Sequence, residues 1–433
     1  MRRTTIKLIA PVMALALFGA ACGGDDDDDA AASGDPTETT VEESTDDTMG
    51  EATEVSTETG AATLRAGLTD LLSEHVYLAA LATGAALRGD TPAFEAFAAE
   101  LNGPEDSNTS DIVAAIASVY GDEVGTAFDG LWRSEDHIPA FVAYTQAAAS
   151  DDQAGKDAAV ERLTSYATTF GETINSVNEN LPADVVADAI TSHATTLLAV
   201  IDAQKAGDQT AVYTSLREAY HHMDMTAAAL AGGTAAKFPD EIDGDAAAPA
   251  SELRSGLHSL LREHVWLAGS ATGAAIGGRT EQFEAAAAAL NGPSDSNTSD
   301  LVDAITSVYG EDVGTAFDGL WRSEDHIPQF VAYTQAAAAG DQAGKDAAIE
   351  RLTAYATTVG ETLNSVNENL PVDAVTEAIT MHATTLIAAI DAQAAGDPVA
   401  AASLLRDAVH HMSGTADVLA AATVQLMPEK FAG

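Results

Sequence analysis

The sequence predicts an all-α protein made of two tandem copies of one antiparallel helical bundle. Three observations carry that expectation. Residues from Leu64 onward match residues from Leu253 onward at one constant offset and without gaps, with roughly 70% of about 170 aligned positions identical. Ala dominates both copies and Leu is frequent in each, while aromatic residues make up only 5% of the chain. No sustained alternation of β-branched and polar residues marks a strand.

The N-terminus bears on the compartment. Arg2, Arg3 and Lys7 precede a short apolar run over residues 8–18, and small residues then lead to Cys22. A basic start, an apolar stretch too short to span a bilayer and a small-residue cleavage region form a secretory signal over residues 1–21. Cys22, the one cysteine in the chain, resembles the lipidated residue of bacterial lipoproteins, although Gly19 stands where that motif usually has Leu. The expected location is therefore extracytoplasmic, in the cell envelope, with lipid on Cys22 as the membrane anchor. Ordinary secretion with a free thiol is the alternative. One cysteine allows no internal disulfide, so packing must hold the fold. Residues 22–60 follow as an acidic linker with an unbroken Asp run at 25–29 and no Lys or Arg. Such a segment buries too little apolar surface to offset its ordering entropy and reads as a disordered tether.

The first copy, residues 61–237, reads as helices near 62–88, 91–102, 109–120, 121–149, 154–177, 183–206 and 209–232. Breaks fall at Asn102-Gly103-Pro104, at Gly121, after Ser150 and at residues 178–182. Pro139 is expected to kink or interrupt the 121–149 helix and free a carbonyl. Residues 238–249 read as a linker, and residues 250–433 repeat the pattern. Each copy is long enough to be its own domain.

The formal charge is −48, from 67 acidic and 19 basic residues. That leaves no basic footprint for nucleic acid and describes a solvated acidic surface.

Eleven histidines remain, and ten form matched pairs between the copies. They are His75/His264, His137/His326, His193/His382, His221/His410 and His222/His411, with His258 unpaired and Thr69 in its place. Their helical position says more than their number. Leu64, Leu68, Leu71, His75 and Leu78 form one apolar stripe, and Val186, Ile190, His193, Leu197 and Ile201 form another. An imidazole in mid-stripe needs a partner, because an unpaired buried polar group costs about 1–3 kcal/mol. Met225 lies one turn from His221 and His222, and Gly414 replaces it in the second copy. A thioether beside imidazoles suits copper, and imidazole also suits zinc and iron.

The expected ligands are His75, His137, His193 and His222, with Met225 and Glu74 beside them, and His264, His326, His382 and His411 in the second copy. Binding is expected to weaken below about pH 6, where free imidazoles protonate. No H-E-x-x-H, C-x-x-C, P-loop or G-x-S-x-G motif occurs. The Glu-x-x-His pairs of a ferritin-like centre are also missing, since Glu74 is adjacent to His75. The turn from Asp106 to Asp111 lacks the Gly and Glu of a calcium loop and reads as an N-capping turn.

Three phrases carry a resemblance: Ser73-Glu74-His75, Trp132-Arg133-Ser134 followed by His137-Ile138, and His222-Met223-Asp224-Met225-Thr226. Both copies resemble a family of bacterial secreted helical proteins that often bear a copper amine oxidase-like label. The resemblance implies secretion, helical bundles and an interest in copper. It does not imply amine oxidase activity, because the Asn-Tyr-Asp/Glu motif of true copper amine oxidases is missing here. The leading expectation is a non-enzymatic envelope metal-binding protein. The alternatives are a tethered structural or interaction module whose histidines only pack, and a ferritin-like metal-dependent oxidase. Haem ligation and a pH-sensitive packing role are lesser options.

Overall fold

A computed structural model describes residues 55–432. The signal-like segment, Cys22 and most of the acidic linker lie outside the described residues. The described chain is all α-helical, and no strand occurs among the described residues.

The first repeat contributes α1 (Gly60–Leu87), α2 (Thr91–Asn102), α3 (Asn108–Tyr120), α4 (Asp122–Trp132), α5 (Ile138–Ala149), α6 (Gln153–Val177), α7 (Ala183–Ala206) and α8 (Gln209–Lys237). The second repeats them as α9 (Pro249–Ile276), α10 (Thr280–Asn291), α11 (Asn297–Tyr309), α12 (Glu311–Trp321), α13 (Ile327–Ala339), α14 (Gln342–Val366), α15 (Val372–Ala395) and α16 (Pro398–Leu426). A short α17 (Pro428–Phe431) follows.

The starts and stops follow local chemistry. Ser107 caps α3 with a reciprocal Ser110 bond, and Asp90, Asp152 and Asp208 accept from the first free amides of α2, α6 and α8. Gly121, at φ +94°, separates α3 from α4 in a conformation few side chains tolerate. Small residues permit close packing: a Cβ at Gly171 of α6 would stand 2.2 Å from the Ala183 carbonyl at the start of α7.

Three sequence expectations need correction. The helix expected over 121–149 is two helices, because residues 133–137 leave helical geometry ahead of Pro139, which sits in the first turn of α5. The acidic linker ends sooner than residue 60: Thr57 is buried, and its carbonyl accepts from Arg254 at 2.8 Å. Residues 238–249 are not a loose connection. Asp243 caps α1 through the Gly60 and Ala61 amides, and Ile242 and Ala246 are buried.

Each repeat has a full bundle, with α1 or α9 at its centre, but the two hydrophobic cores are continuous. The described residues form one compact unit. Helix α1 packs on α9 along a seam, flanked by α8 on α10 and α16 on α2. Tyr77 and its counterpart Trp266 stack across it at 5.5 Å with ring planes 8° apart.

Charged groups are paired across the seam with approximate two-fold symmetry. Arg217 of α8 binds Glu263, Asp300 and the Asp295 carbonyl of the second repeat. Arg406 of α16 returns the arrangement with Glu74, Asp111 and the Asp106 carbonyl. His221 meets Glu263 at 3.3 Å, and His410 meets Glu74 at 2.5 Å.

Candidate metal centres

Each repeat brings three buried histidines together from three different elements. In the first, His75 comes from the middle of α1, His137 from the cap of α5 and His193 from α7. Their ring centroids lie 5.6 Å (His75–His137), 5.7 Å (His75–His193) and 6.5 Å (His137–His193) apart. One nitrogen from each falls within 4.8 Å of the others. His264, His326 and His382 repeat the triad in the second repeat, with His264 5.5 Å from His326 and 5.8 Å from His382. All six rings are at most 4% exposed.

The break before Pro139 is what delivers His137. It ends α4 at Trp132 and leaves that carbonyl without a helical donor, and the His137 Nδ1–H donates to it at 2.9 Å. Nδ1 is thereby committed and Nε2 becomes the atom presented to the triad. His326 does the same with the Trp321 carbonyl at 2.9 Å. Tyr166 stacks face to face on His137 at 4.5 Å, and Trp132 packs edge-on against both His75 and His137. These rings fix the imidazoles sterically.

Electrostatics keep the triads neutral. Burial pushes His137 down to about 4, against the pull of its bond to Trp132. Burial, with His137 and His222 nearby, takes His193 down to about 3. Burial and the other two rings hold His75 well below the ordinary imidazole range, with Asn108 and Glu74 pulling the other way. The second triad behaves alike, with His326 at about 4 and His382 at about 3. Neutral imidazoles are the form that ligates a metal.

The hydrogen bonds separate a ligand reading from a packing one. Neither nitrogen of His193 has a partner, nor has Nδ1 of His382, and Nδ1 of His75 and of His264 has at most the nearby carboxamide of Asn108 or Asn297. A histidine retained only for packing is normally hydrogen-bonded when buried. A carboxamide oxygen is also left over, Asn108 Oδ1, whose Nδ2 bonds Glu74 at 3.4 Å and the Leu71 carbonyl at 2.8 Å.

The other residues singled out from sequence lie elsewhere. His222 donates its Nε2–H to the Ala189 carbonyl at 2.9 Å, and His411 donates likewise to the Ala378 carbonyl at 3.1 Å, so both tie α8 or α16 to the neighbouring helix. Met225 is 66% exposed, and Met223 holds the inward position instead. The Gly414 replacement therefore takes nothing from the second site. Glu74 is wholly buried, but it faces the other repeat, where it binds Arg262 and Arg406. Successive helical residues point about 100° apart, so Glu74 serves the seam while His75 serves the bundle. No carboxylate belongs to either triad among the described residues, which removes the ligand set of a ferritin-like di-iron centre.

A third grouping, His221 with Glu263 and Asp300, has a cation already: the Arg217 guanidinium sits between its carboxylates. His258, the unpaired histidine, is a seam residue held between Asp70 at 3.1 Å and Asp417 at 2.8 Å. Against burial, those carboxylates lift it to about 9, so it is a cation at neutral pH and no ligand. Its sequence signal was its lack of a counterpart.

A cavity of about 270 Å³ in the second repeat reaches His264 between Phe283, Leu290 and Phe330. Helix α7 is long and apolar enough to cross a membrane by composition, yet its buried stripe holds His193 inside the bundle. No family model, curated protein or solved structure matches the chain.

Proposed function

We propose that the protein is a non-enzymatic envelope metal-binding protein, lipid-anchored through Cys22, that holds one transition-metal ion per repeat. The ligands are His75, His137 and His193 in one site and His264, His326 and His382 in the other. The observation that carries this reading is the pair of buried, neutral triads, in which His137 and His326 are oriented by a carbonyl on Nδ1 while His193 has no partner on either nitrogen. Tetrahedral ligands at 2.0–2.1 Å from a metal stand about 3.4 Å apart. Nitrogens within 4.8 Å of one another are near that spacing.

The thioether argument for copper falls with Met225. Copper remains first on different grounds: for imidazole donors the affinity order of divalent ions peaks at copper, with zinc below it. Iron follows further down. A site of three imidazoles with nothing from carboxylate or thiolate suits copper or zinc in three or four coordination. The cavity at His264 provides an entry path in the second repeat.

Elemental analysis of tag-free protein, after incubation with copper and zinc and removal of excess, should give two ions per chain. Stoichiometry below one, with no thermal stabilisation by either ion, would leave the histidines to a tethered structural module.

A further inference from the structure

Eleven arginines lie among the described residues, and nine of them stand within ion-pair distance of a carboxylate. The two that do not are Arg88 and Arg279. In a chain with 67 acidic residues, an arginine without a carboxylate is the exception. Both line one cavity of about 850 Å³ at the end of the seam, where α1, α2 and α8 meet α9, α10 and α16. Arg88 follows the last turn of α1, and Arg279 precedes the first turn of α10.

The duplication did not place them there as a pair. Gly277 stands where the second repeat would have the equivalent of Arg88, and Asp90 stands where the first would have that of Arg279. Each repeat supplies one cation from a different position, and the seam brings them to one opening. Arg279 holds its orientation through Gln282 at 2.8 Å and the Gly273 carbonyl at 2.8 Å, both as acceptors. Burial and the charge of Arg279 together lower the pKa of Arg88, a repulsion that an anion between them would relieve.

The rest of the wall is not that of an inorganic-ion site. Leu81, Leu87, Phe97, Ile276 and Leu405 line it with apolar surface. Ser270 replaces the Leu81 equivalent on the second-repeat side; it is 6% exposed, and its Oγ has only the Tyr213 hydroxyl beside it. Asp90 and Asp397 are on the rim, but each already caps a helix through the Ala93 or Ala400 amide. Glu281, in the first turn of α10, also faces the rim. Small-ligand sites of 300–1,000 Å³ combine mostly apolar walls with a few fixed polar groups.

We propose that this seam cavity binds an amphipathic organic anion, its carboxylate or phosphate head between Arg88 and Arg279 and its apolar body against Leu81, Phe97 and Ile276. The guanidiniums supply charge-assisted donors for the head. Ser270 Oγ offers a donor to a polar atom deeper in the body. The site is independent of the histidine triads and needs no metal.

Titration calorimetry on the full chain, with decanoate, decyl phosphate, decanol and inorganic phosphate, tests it. Decanoate or decyl phosphate should bind at least tenfold more tightly than decanol, and the better of the two identifies the head. Arg88→Gln with Arg279→Gln should remove that advantage while leaving helicity unchanged, since neither side chain has an ion-pair partner to lose and Arg279 gives up only its bonds to Gln282 and the Gly273 carbonyl. Ser270→Leu should weaken binding a few-fold. The proposal is overturned if decanol binds as well as the anions, if the double variant keeps the preference, or if no probe binds. Inorganic phosphate binding as tightly as decyl phosphate would equally overturn it, because the apolar wall would then contribute nothing.

Discussion

The two histidine layers and the seam between the repeats were built by the same duplication, and they have diverged very differently. The layers are superimposable in their contacts. His75–Trp132 and His264–Trp321 are both 5.1 Å, and the His–Tyr stacks are 4.5 and 4.7 Å. At the seam only part of the symmetry survives. Glu74 and Glu263 correspond, as do Arg217 and Arg406. Around them, Thr69 faces the role of His258, Ser73 that of Arg262, and Asp70 that of Ser259. Asp224 likewise corresponds to Ser413.

These exchanges convert a self-complementary surface into a pair that fits only one way. Ser413 donates to Asp70 at 2.7 Å on one side, and Ser259 donates to Asp224 at 2.7 Å on the other. Two copies of the first repeat would oppose Asp70 to Asp224. Two copies of the second would set Arg262 and His258 against Ser259 instead of Asp70. Like charges or unpaired cations at a dry interface disfavour both mispairings. A layer that must present three nitrogens to one point leaves no such freedom.

The largest expected effect separates the two halves of the seam. Glu74→Ala leaves Arg262 and Arg406 buried without their shared carboxylate, and removing one partner of a buried ion pair costs about 3–5 kcal/mol. Glu263→Ala removes one carboxylate from Arg217, which keeps Asp300, and one from His221, whose side chain is 39% exposed, so its loss should be clearly smaller. Urea denaturation of both variants at pH 7 measures the difference. Equal losses would mean that the seam is symmetric in energy as well as in outline.

The histidine layers should instead respond alike. A metal at a hundred times its dissociation constant adds about 2.7 kcal/mol per site. His193→Ala and His382→Ala should each take the stoichiometry from two ions to one, with the remaining site unchanged. Met225→Ala and His222→Gln should leave both sites loaded. A loss of metal in Met225→Ala would bring the thioether back into the site and make the repeats unequal.

Why these layers were partly legible in the sequence, and the seam was not, follows from range. His75 and His193 announce themselves by sitting in apolar stripes of their own helices, a local signal. His137 is flagged by Pro139 only two residues on. His222 is matched between the copies as they are, but which face of α8 looks inward depends on packing against α7 and α1. Met225 falls on the wrong face for the same reason. Glu74 finds Arg406 across 332 residues of sequence separation, and no spacing rule reaches that far. Two complete bundles looked like two independent domains because nothing in either copy marks a surface as paired.

Acid separates the layers from ordinary histidines. His137 and His326 protonate at about 4 in the folded chain, and His193 and His382 at about 3, against 6.5 unfolded. Folded pKa values below the unfolded ones give stability that is present above pH 6.5 and falls as pH drops from there. Each such proton contributes a slope of up to about 1.4 kcal/mol per pH unit. Metal affinity should behave differently from the sequence expectation of weakening below about pH 6. It should hold to about pH 5 and fall only as the folded imidazoles titrate. Competition titrations at pH 7, 5.5 and 4 check this, and a tenfold loss already at pH 5.5 would show that water reaches the rings.

The smallest effect lies in the two Asp–Ser pairs. Against burial, Arg262 and His258 hold Asp70 at about 2, so it stays ionised. Asp224 has no such cation in contact; burial raises it to about 7, with Ser259 and His221 only partly opposing. The signs are therefore opposite. Asp70, folded below its unfolded 3.8, contributes stability above that pH. Asp224, folded above it, contributes stability below pH 3.8 that is lost as pH rises toward 7. Asp224→Asn keeps a carbonyl for the Ser259 hydroxyl and removes the charge. It should stabilise the protein at pH 8 by an amount on the order of 1 kcal/mol and do nothing, or slightly harm, at pH 4. Thermal melts of wild type and variant across pH 4–8 should converge at the acid end and separate at the basic end. A variant less stable than wild type at pH 8 would mean that His221, on the adjacent turn position, already neutralises Asp224, and that the two sides of the seam are electrostatically alike after all.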